Sequence, residues 1–337
     1  MKTVFVVDDN NVNLLSADEA LSDHFKVFTM PSALVMFELL EDIKPDLILL
    51  DILMPEMDGF EALRLLKSNA KYFEIPVIFL TSRNDELTES KGFQMGAVDF
   101  ISKPFSKLVL LNRIEVHLEI EKIIRDRTDN LNRLRNSIVS VLANMMESRD
   151  KMTSGHLERT SRYIKLLLET MKQQNVYNEE ISVWNFDMIV SSARLHDIGK
   201  IVITDLILNK PQSLTKEEID LIKTHVIEGK KVIDIIIDEA GDEAFLQYAK
   251  SFAGYHHERW DGNGYPHGMK GEEIPLQGRI MAIADAYDAL VSARPYKAAL
   301  SHSEAVAIIE KDSGKHFDPI LVEVFLACEK QFENVSF

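Results

Sequence analysis

Seven of the metal-capable side chains in this sequence have neighbours that make them hard to treat as isolated residues. His196 and Asp197 are adjacent in ARLHDIGK, with Lys200 one turn further on. His256 and His257 are adjacent in GYHHERWDGNGYP. His156 lies in SRDKMTSGHLERT, His225 lies between the two pairs, and Asp285 lies in IMAIADAYDAL. Neighbours on a helix point about 100° apart, so an adjacent pair serves one site only if that site is broad. Two metal ions a few ångströms apart under a bridging carboxylate make such a site. Mixed imidazole and carboxylate ligation suits Fe, Mn, Ni, Co or Zn, and the absence of cysteine nearby disfavours structural zinc. A cationic cluster of this kind would attract an anionic phosphodiester.

A second set lies nearer the start. Asp8 and Asp9 end the run TVFVV, Asp51 ends PDLILLD, Thr81 ends PVIFLT, and Lys103 follows VDFIS. Three carboxylates at one edge would bind a hard cation such as Mg²⁺. One of them could then attack a phosphoryl donor, with the metal, a hydroxyl and a lysine neutralising the oxygens.

The elements that must position the second set are legible. Thr3–Val7, Leu47–Leu50 and Pro76–Leu80 are continuous apolar runs, the pattern of strands buried on both faces. Helical segments at Ser32–Ile43 and Gly59–Ser68 alternate with them. Strand–helix alternation predicts a doubly wound parallel α/β sheet over residues 1–120, with its site at the carboxyl ends of the strands. From 106 to 150 the chain reads as one long helix, without glycine or proline from Leu108 to Met146. Leu131, Leu134, Ile138, Val141 and Met145 follow the 3-4 spacing of a coiled-coil seam. The expectation is a helix that pairs with its twin in a homodimer or packs on the next domain. From 137 to 337 the pattern is helical nearly throughout, and Thr215–Glu218 is a capping box. The expected architecture is therefore multidomain: an α/β sheet domain, a helical connector and an all-α domain.

Bulk composition agrees. A chain of 337 residues with 46% hydrophobic and 27% charged residues has material for two folded cores. A net charge of −16 disfavours DNA and anionic membranes as partners. No run of about 18 uncharged apolar residues suggests membrane insertion, and no signal peptide is visible. The single cysteine, Cys328, reads as a small buried hydrophobe in a reducing compartment, and the cytoplasm is the expected location.

The pieces VVDDN, LLDILMPEMDGFE, FLTS and DFISKPF resemble the receiver domain of two-component response regulators, a flavodoxin-like fold. The resemblance implies Asp51 as phosphoacceptor, Asp8 and Asp9 as Mg²⁺ ligands, and Thr81 and Lys103 as the phosphoryl-sensing pair. It places Phe100 at the aromatic switch position, where many relatives carry Tyr, and it implies a sensor histidine kinase as partner. ARLHDIGK, HHERWDGNGYP and ADAYDALVSARPYK resemble the HD-GYP subfamily of HD-superfamily phosphohydrolases, which hydrolyses cyclic di-GMP. That resemblance implies two divalent transition metals, Fe or Mn favoured, held by His156, His196, Asp197, His225, His256, His257 and Asp285, with Asp197 bridging. It implies Asp197 and Lys200 as catalytic groups, and Lys200, Arg294 and Lys297 as phosphate contacts. Gly262, Gly264, Tyr265 and Pro266 would shape a loop beside the pocket that could also dock a partner protein. Met152 stands where some relatives carry a glutamate that helps hold a third metal, so two metals are expected.

The resulting expectation is metal-dependent hydrolysis of cyclic di-GMP to pGpG or GMP, controlled by phosphorylation of Asp51. Two alternatives stand beside it: a catalytically silent cyclic di-GMP receptor or interaction module, and a hydrolase of a related cyclic dinucleotide. Within the GYP stretch, Glu258 and Asp261 are expected to order the loop rather than bind metal, and Trp260 to pack on the core.

Overall fold

The computed structural model describes residues 1–82, 86–149, 155–241, 243–292 and 298–335. Met152, Arg294 and Lys297 lie outside them. The chain divides into two compact units, Met1–Leu131 and Asn132–Phe337.

The first unit alternates β1 (Thr3–Val7), α1 (Asn11–Leu21), β2 (Lys26–Met30), α2 (Ala33–Leu40), β3 (Leu47–Asp51), α3 (Gly59–Ser68), β4 (Val77–Thr81), α4 (Glu86–Gln94) and β5 (Asp99–Ser102), then enters α5 (Lys107–Arg149). The strands form one parallel sheet in the order β2-β1-β3-β4-β5. Every residue of β3 and β4 is buried, which explains their uninterrupted apolar sequences. The strand order reverses at β1, which pairs with both β2 and β3. The crevice at such a switch point is where open α/β sheets bind ligands, and Asp8, Asp9 and Asp51 flank it. Strand β2 has no counterpart among the runs picked from the sequence. It is an edge strand, KVFTM, with only Met30 fully buried, so its polar residues break the apolar signature.

Helix α5 has 43 residues. Leu110 and Ile114 are fully buried against the sheet core. Arg113 and His117, four residues apart and so on one face, both reach Asp99 on β5. Arg113 Nη1 lies 2.8 Å from Asp99 Oδ2, and His117 Nε2 lies 3.0 Å from the same oxygen. The carboxylate also accepts from the Phe100 amide at 2.8 Å. Leu131, Leu134, Ile138, Val141 and Met145, the residues of the expected seam, are each more than half exposed.

The second unit is helical. After the last turns of α5 come α6 (His156–Gln174), α7 (Asn178–Ile181), α8 (Phe186–Ala193), a 3₁₀ turn (Ile198–Val202), α9 (Asp205–Leu208), α10 (Lys216–Lys223), α11 (His225–Ala240), α12 (Ala244–Tyr255), a second 3₁₀ turn (Gly271–Glu273), α13 (Leu276–Val291), α14 (His302–Lys311) and α15 (Pro319–Glu333). The capping box at Thr215 and Glu218 opens α10 as the sequence indicates. One core packs α6, α13 and α15 around Tyr163, Tyr287, Phe325 and Phe332. Tyr163 stacks on Phe332 at 4.6 Å, and Tyr287 meets both rings edge-on. A smaller core joins Val139 of α5 to Leu195, Ile198, Ile233, Phe245 and Ala249. Cys328 is buried, as expected. No helix among the described residues is long and apolar enough to cross a membrane.

Burial alone would raise the Asp99 carboxyl, but His117, the Phe100 amide and Arg113 override it and hold it below its ordinary value of 3.8. A depressed carboxylate contributes stability that is present above the unfolded pKa and lost as pH falls through the folded one. Asp99→Asn should therefore destabilise the first unit at pH 7, and the difference from the native chain should shrink once pH falls below 3.8. Urea unfolding of both proteins at the two pH values checks this.

Candidate metal centre

All seven metal-capable residues of the second unit lie in described segments and converge. Most arrive from helix ends. His156 opens α6, His225 opens α11 and His256 caps α12, with His257 next to it. His196 and Asp197 occupy the bend between α8 and the first 3₁₀ turn, and Asp285 projects from within α13.

The orientation of the imidazoles follows from their second nitrogens. His196 Nδ1 faces the Ala193 carbonyl at 3.0 Å, His225 Nδ1 the Ile222 carbonyl at 2.7 Å, and His256 Nδ1 the Phe252 carbonyl at 2.9 Å. A carbonyl only accepts, so each Nδ1 carries the proton and each Nε2 is left with a lone pair. His156 Nδ1 faces Asp288 Oδ2 at 2.8 Å, so it too carries a proton on Nδ1. The four Nε2 atoms turn toward one another in pairs. His156 and His196 approach to 3.3 Å, and His225 and His256 to 3.2 Å. Lone pairs facing at such distances repel unless positive charge sits between or beside them, so the donor set fits divalent ions.

The ligand atoms fall into two triads, His156–His196–Asp285 and His225–His256–His257, each with its atoms within 4.8 Å of one another. Asp197 lies between them with one oxygen toward each. Its Oδ2 is 3.5 Å from His196 Nε2, and its Oδ1 is 3.3 Å from His225 Nε2 and 3.8 Å from His256 Nε2. Lys200 Nζ sits 2.8 Å from Asp197 Oδ2.

The titration tendencies match this geometry. Burial would raise Asp197, but Lys200 and then His196, His225 and His256 hold it well below the usual carboxylate range. Burial, then the neighbouring His257, His196 and His225, pushes His256 well down. Burial and His225 lower His257 to about 3. His196 is lowered by burial and His156. These three imidazoles are thus neutral at pH 7, the form in which they could bind a metal ion. His156 departs from the pattern: burial opposes its protonation, yet Asp288, Asp285 and Asp197 raise it overall.

The GYP stretch forms a loop beside the second triad. Glu258 is buried, and its carboxylate accepts from the His267 and Met269 amides at 2.8 and 3.0 Å. Asp261 pairs with Arg259, which lowers it to about 2. Both acids order the loop. Trp260 is half-buried, with the Arg279 guanidinium 5.9 Å from its ring. Tyr265 stacks on His257 with ring centroids 4.8 Å apart, and burial raises its hydroxyl above the usual range. A Cβ on Gly264 would lie 2.4 Å from the Arg259 nitrogen, so only glycine permits this close pass of the loop on itself.

Three contributors were not picked from the sequence. Asp288 orients His156 and is held by Arg159, whose Nη2 donates to Asp288 Oδ2 at 2.8 Å. Asp288 lies one helical turn beyond Asp285, and that spacing in ADAYDAL is the signal that could have found it. The third is Gly199 of HDIGK. A Cβ there would lie 1.9 Å from the His225 carbonyl oxygen and 2.3 Å from the Gly229 nitrogen.

At the sheet edge of the first unit, Lys103 Nζ bridges Asp8 Oδ2 at 2.6 Å and Asp51 Oδ2 at 2.7 Å. Oxygens of Asp8, Asp9 and Asp51 lie within 4.8 Å of one another. Asp8, Asp51 and Thr81 are buried and Asp9 is exposed. Asn13 and the Asn10 amide also donate to Asp8. Burial raises Asp51 against the pull of Lys103, and Asp8 adds to the rise. The Phe100 ring packs on Phe79 and Phe93 at 5.4 and 4.9 Å. A Cβ on Gly92 would lie 2.4 Å from the ring's Cζ, so this glycine makes room for the ring.

Residues 4–115 match the response regulator receiver domain, and residues 140–321 match the HD domain. A probable cyclic di-GMP phosphodiesterase of Vibrio cholerae is 38% identical over 99% of this chain and 79% of its own length. The cyclic di-GMP phosphodiesterase response regulator RpfG of Xanthomonas campestris is 34% identical over 98% of this chain and 89% of its own. A 3′3′-cGAMP-specific phosphodiesterase of Vibrio cholerae is 32% identical over 74% of this chain and 45% of its own.

Gly199→Ala should lower the stability of the second unit by about 1–3 kcal/mol, the usual cost of overpacking. It should also reduce bound metal, since the turn that carries Asp197 must back away from α11. Calorimetry and elemental analysis of the same preparation check both.

Proposed function

We propose that this chain, which belongs to the HD-domain response regulators that include cyclic di-GMP phosphodiesterases, hydrolyses cyclic di-GMP to pGpG or GMP under the control of Asp51 phosphorylation. The observation that carries this reading is Asp197, with one oxygen toward each histidine triad and Lys200 beside it. His156, His196 and Asp285 would hold one divalent ion, His225, His256 and His257 the other, and Asp197 would bridge them. Mixed nitrogen and oxygen donors suit Fe, Mn, Ni, Co or Zn, and the resemblance to the HD-GYP subfamily favours Fe or Mn among them. Two such ions supply Lewis acidity toward a phosphoryl oxygen and acidify water.

The chain's own groups would do the rest. The Nδ1–H bonds to backbone carbonyls keep each Nε2 unprotonated and aimed inward. Lys200 is placed to meet charge building on a phosphoryl oxygen, with Arg294 and Lys297 as further phosphate contacts. Gly264 and Tyr265 shape the rim where substrate would enter, and the same rim could receive a partner protein. In the receiver unit, Asp8 and Asp9 would hold Mg²⁺ and Asp51 would accept the phosphoryl group from a sensor histidine kinase. Thr81 and Lys103 would then contact that group, and Phe100 would answer by changing rotamer. The exposed seam on α5 supports pairing of two chains, since Val139 and Ala143 bury a different face of the same helix. We place this work in the cytoplasm, where the unpaired thiol of Cys328 is at home.

A second reading, hydrolysis of a related cyclic dinucleotide, is favoured by the similarity to the 3′3′-cGAMP-specific relative. Protein purified without oxygen and loaded with Fe²⁺ or Mn²⁺ should convert cyclic di-GMP to linear product, with a higher kcat/KM than for 3′3′-cGAMP. Asp197→Asn should lose more than about a hundredfold in kcat, since loss of a bridging ligand exceeds loss of an outer-shell partner. No cleavage by the fully loaded native chain would leave the silent-receptor alternative, and a higher kcat/KM for 3′3′-cGAMP would reassign the substrate.

Control by Asp51 is separately testable. Beryllium fluoride, which mimics a phosphoryl group on aspartate, should change kcat of the native chain and leave Asp51→Asn unchanged. Equal rates with and without it in the native chain would count against regulation.

A further inference from the structure

Arg149, the last helical residue of α5, lies in the second unit and makes contacts that the proposed chemistry has not used. Its Nη1 donates to the Ile201 carbonyl at 3.0 Å and its Nη2 to the Ile203 carbonyl at 2.9 Å. Nε and Nη2 both donate to Asp205 Oδ1, at 3.0 and 2.8 Å. Asn209 Nδ2 donates back to the Arg149 carbonyl at 2.7 Å. The helix end and the segment after Lys200 therefore grip each other from both sides.

From that grip a short series of hydrogen bonds reaches the metal-capable cluster. The Ile203 amide donates to the Lys200 carbonyl at 3.0 Å, and the Lys200 amide donates to the Asp197 carbonyl at 2.9 Å. Lys200 Nζ then meets the Asp197 carboxylate at 2.8 Å. The opposite side of this turn has no slack, because Gly199 is pressed on the His225 carbonyl and on Gly229. Two residues before Arg149, Glu147 accepts from the Leu157 amide at 3.3 Å, at the start of the helix that His156 opens. Ala143, Met146 and Glu147 also line a cavity of about 20 Å³ together with His156, Asp197 and Lys200. The last turns of α5 thus form part of the wall behind the cluster.

We infer that Arg149 is a positioning residue: it sets the turn that carries Asp197 and Lys200, and through it any displacement of α5 reaches both. A turn wedged between α11 and a charged clamp cannot stay in place when the clamp moves, and a shift of about 1 Å in a catalytic group costs about a hundredfold in rate. The inference rests on the phosphodiesterase reading of the cluster.

The test compares the full native chain with Arg149→Gln and Arg149→Lys. Measured for each are metal content, melting temperature, hydrogen exchange at Lys200 and Ile203, and kcat and KM for cyclic di-GMP with and without beryllium fluoride. Arg149→Gln should stay folded with full metal and a KM within about twofold of native, while kcat falls about ten- to a hundredfold. Its Lys200 and Ile203 amides should exchange faster, and its kcat should no longer answer to beryllium fluoride. Arg149→Lys keeps the charge but not the fork, and should recover part of kcat. Native kcat with native exchange at the two amides in Arg149→Gln would overturn the positioning role. An undiminished beryllium fluoride response in that variant would overturn transmission through Arg149. If the native chain cleaves no cyclic di-GMP, the phosphodiesterase reading falls instead, and the exchange at Lys200 and Ile203 still decides whether Arg149 holds the turn.

Discussion

The second unit is organised around imidazoles that would repel one another without positive charge among them. Nε2 atoms face each other at 3.3 Å and 3.2 Å, each with its proton committed to the other ring nitrogen. That commitment is made locally: three of the rings donate to a carbonyl three or four residues earlier in their own chain segment. Those three histidines therefore reach the cluster already turned, and bringing the segments together gathers unprotonated nitrogens where cations would be welcome. The Asp197 carboxylate is the negative element shared by both halves, and Lys200, then the surrounding imidazoles, hold it well below the usual carboxylate range against the pull of burial.

Helix ends explain how such crowding is reached. A ligand in mid-helix shares its face with the residues three and four positions away, which limits how many segments can meet. Metal-capable residues that open or close α6, α11 and α12, or sit in a bend, leave the helix bodies free to pack elsewhere. Asp285, within α13, is the exception, and Asp288 on the same helix turns that position to use by orienting His156. Close passes of backbone at Gly199 and Gly264 let the segments meet without side chains intervening.

The receiver unit meets the converse problem, a surplus of negative charge at one sheet edge. Asp8 and Asp51 share the Lys103 ammonium, and burial works against the ionised form of Asp51. The neighbouring strand β5 carries both Phe100, wedged over Gly92, and Asp99, held by two residues of α5. Helix α5 thus begins bonded to the strand that carries Phe100 and ends bonded, through Arg149, to the segment that follows Lys200.

Local sequence determined a good deal by itself. Buried parallel strands announce themselves as apolar runs ending in acids, and adjacent ligand pairs such as His196–Asp197 and His256–His257 announce a broad site, because both signals are local. Strand β2 escaped since an edge strand need not be apolar throughout. Asp288, Arg159 and Arg149 escaped for another reason. Their roles lie in partners far along the chain, at His156 and Asp288 and at the segment from Ile201 to Asp205. An arginine in a helix looks the same in sequence whether it faces water or grips a distant turn. The turning of His156 by Asp288, the division of the seven metal-capable residues into two triads, and which oxygen of Asp197 faces each were decided only by tertiary structure. Those are matters of direction and distance between segments, and residue types along one chain do not carry them.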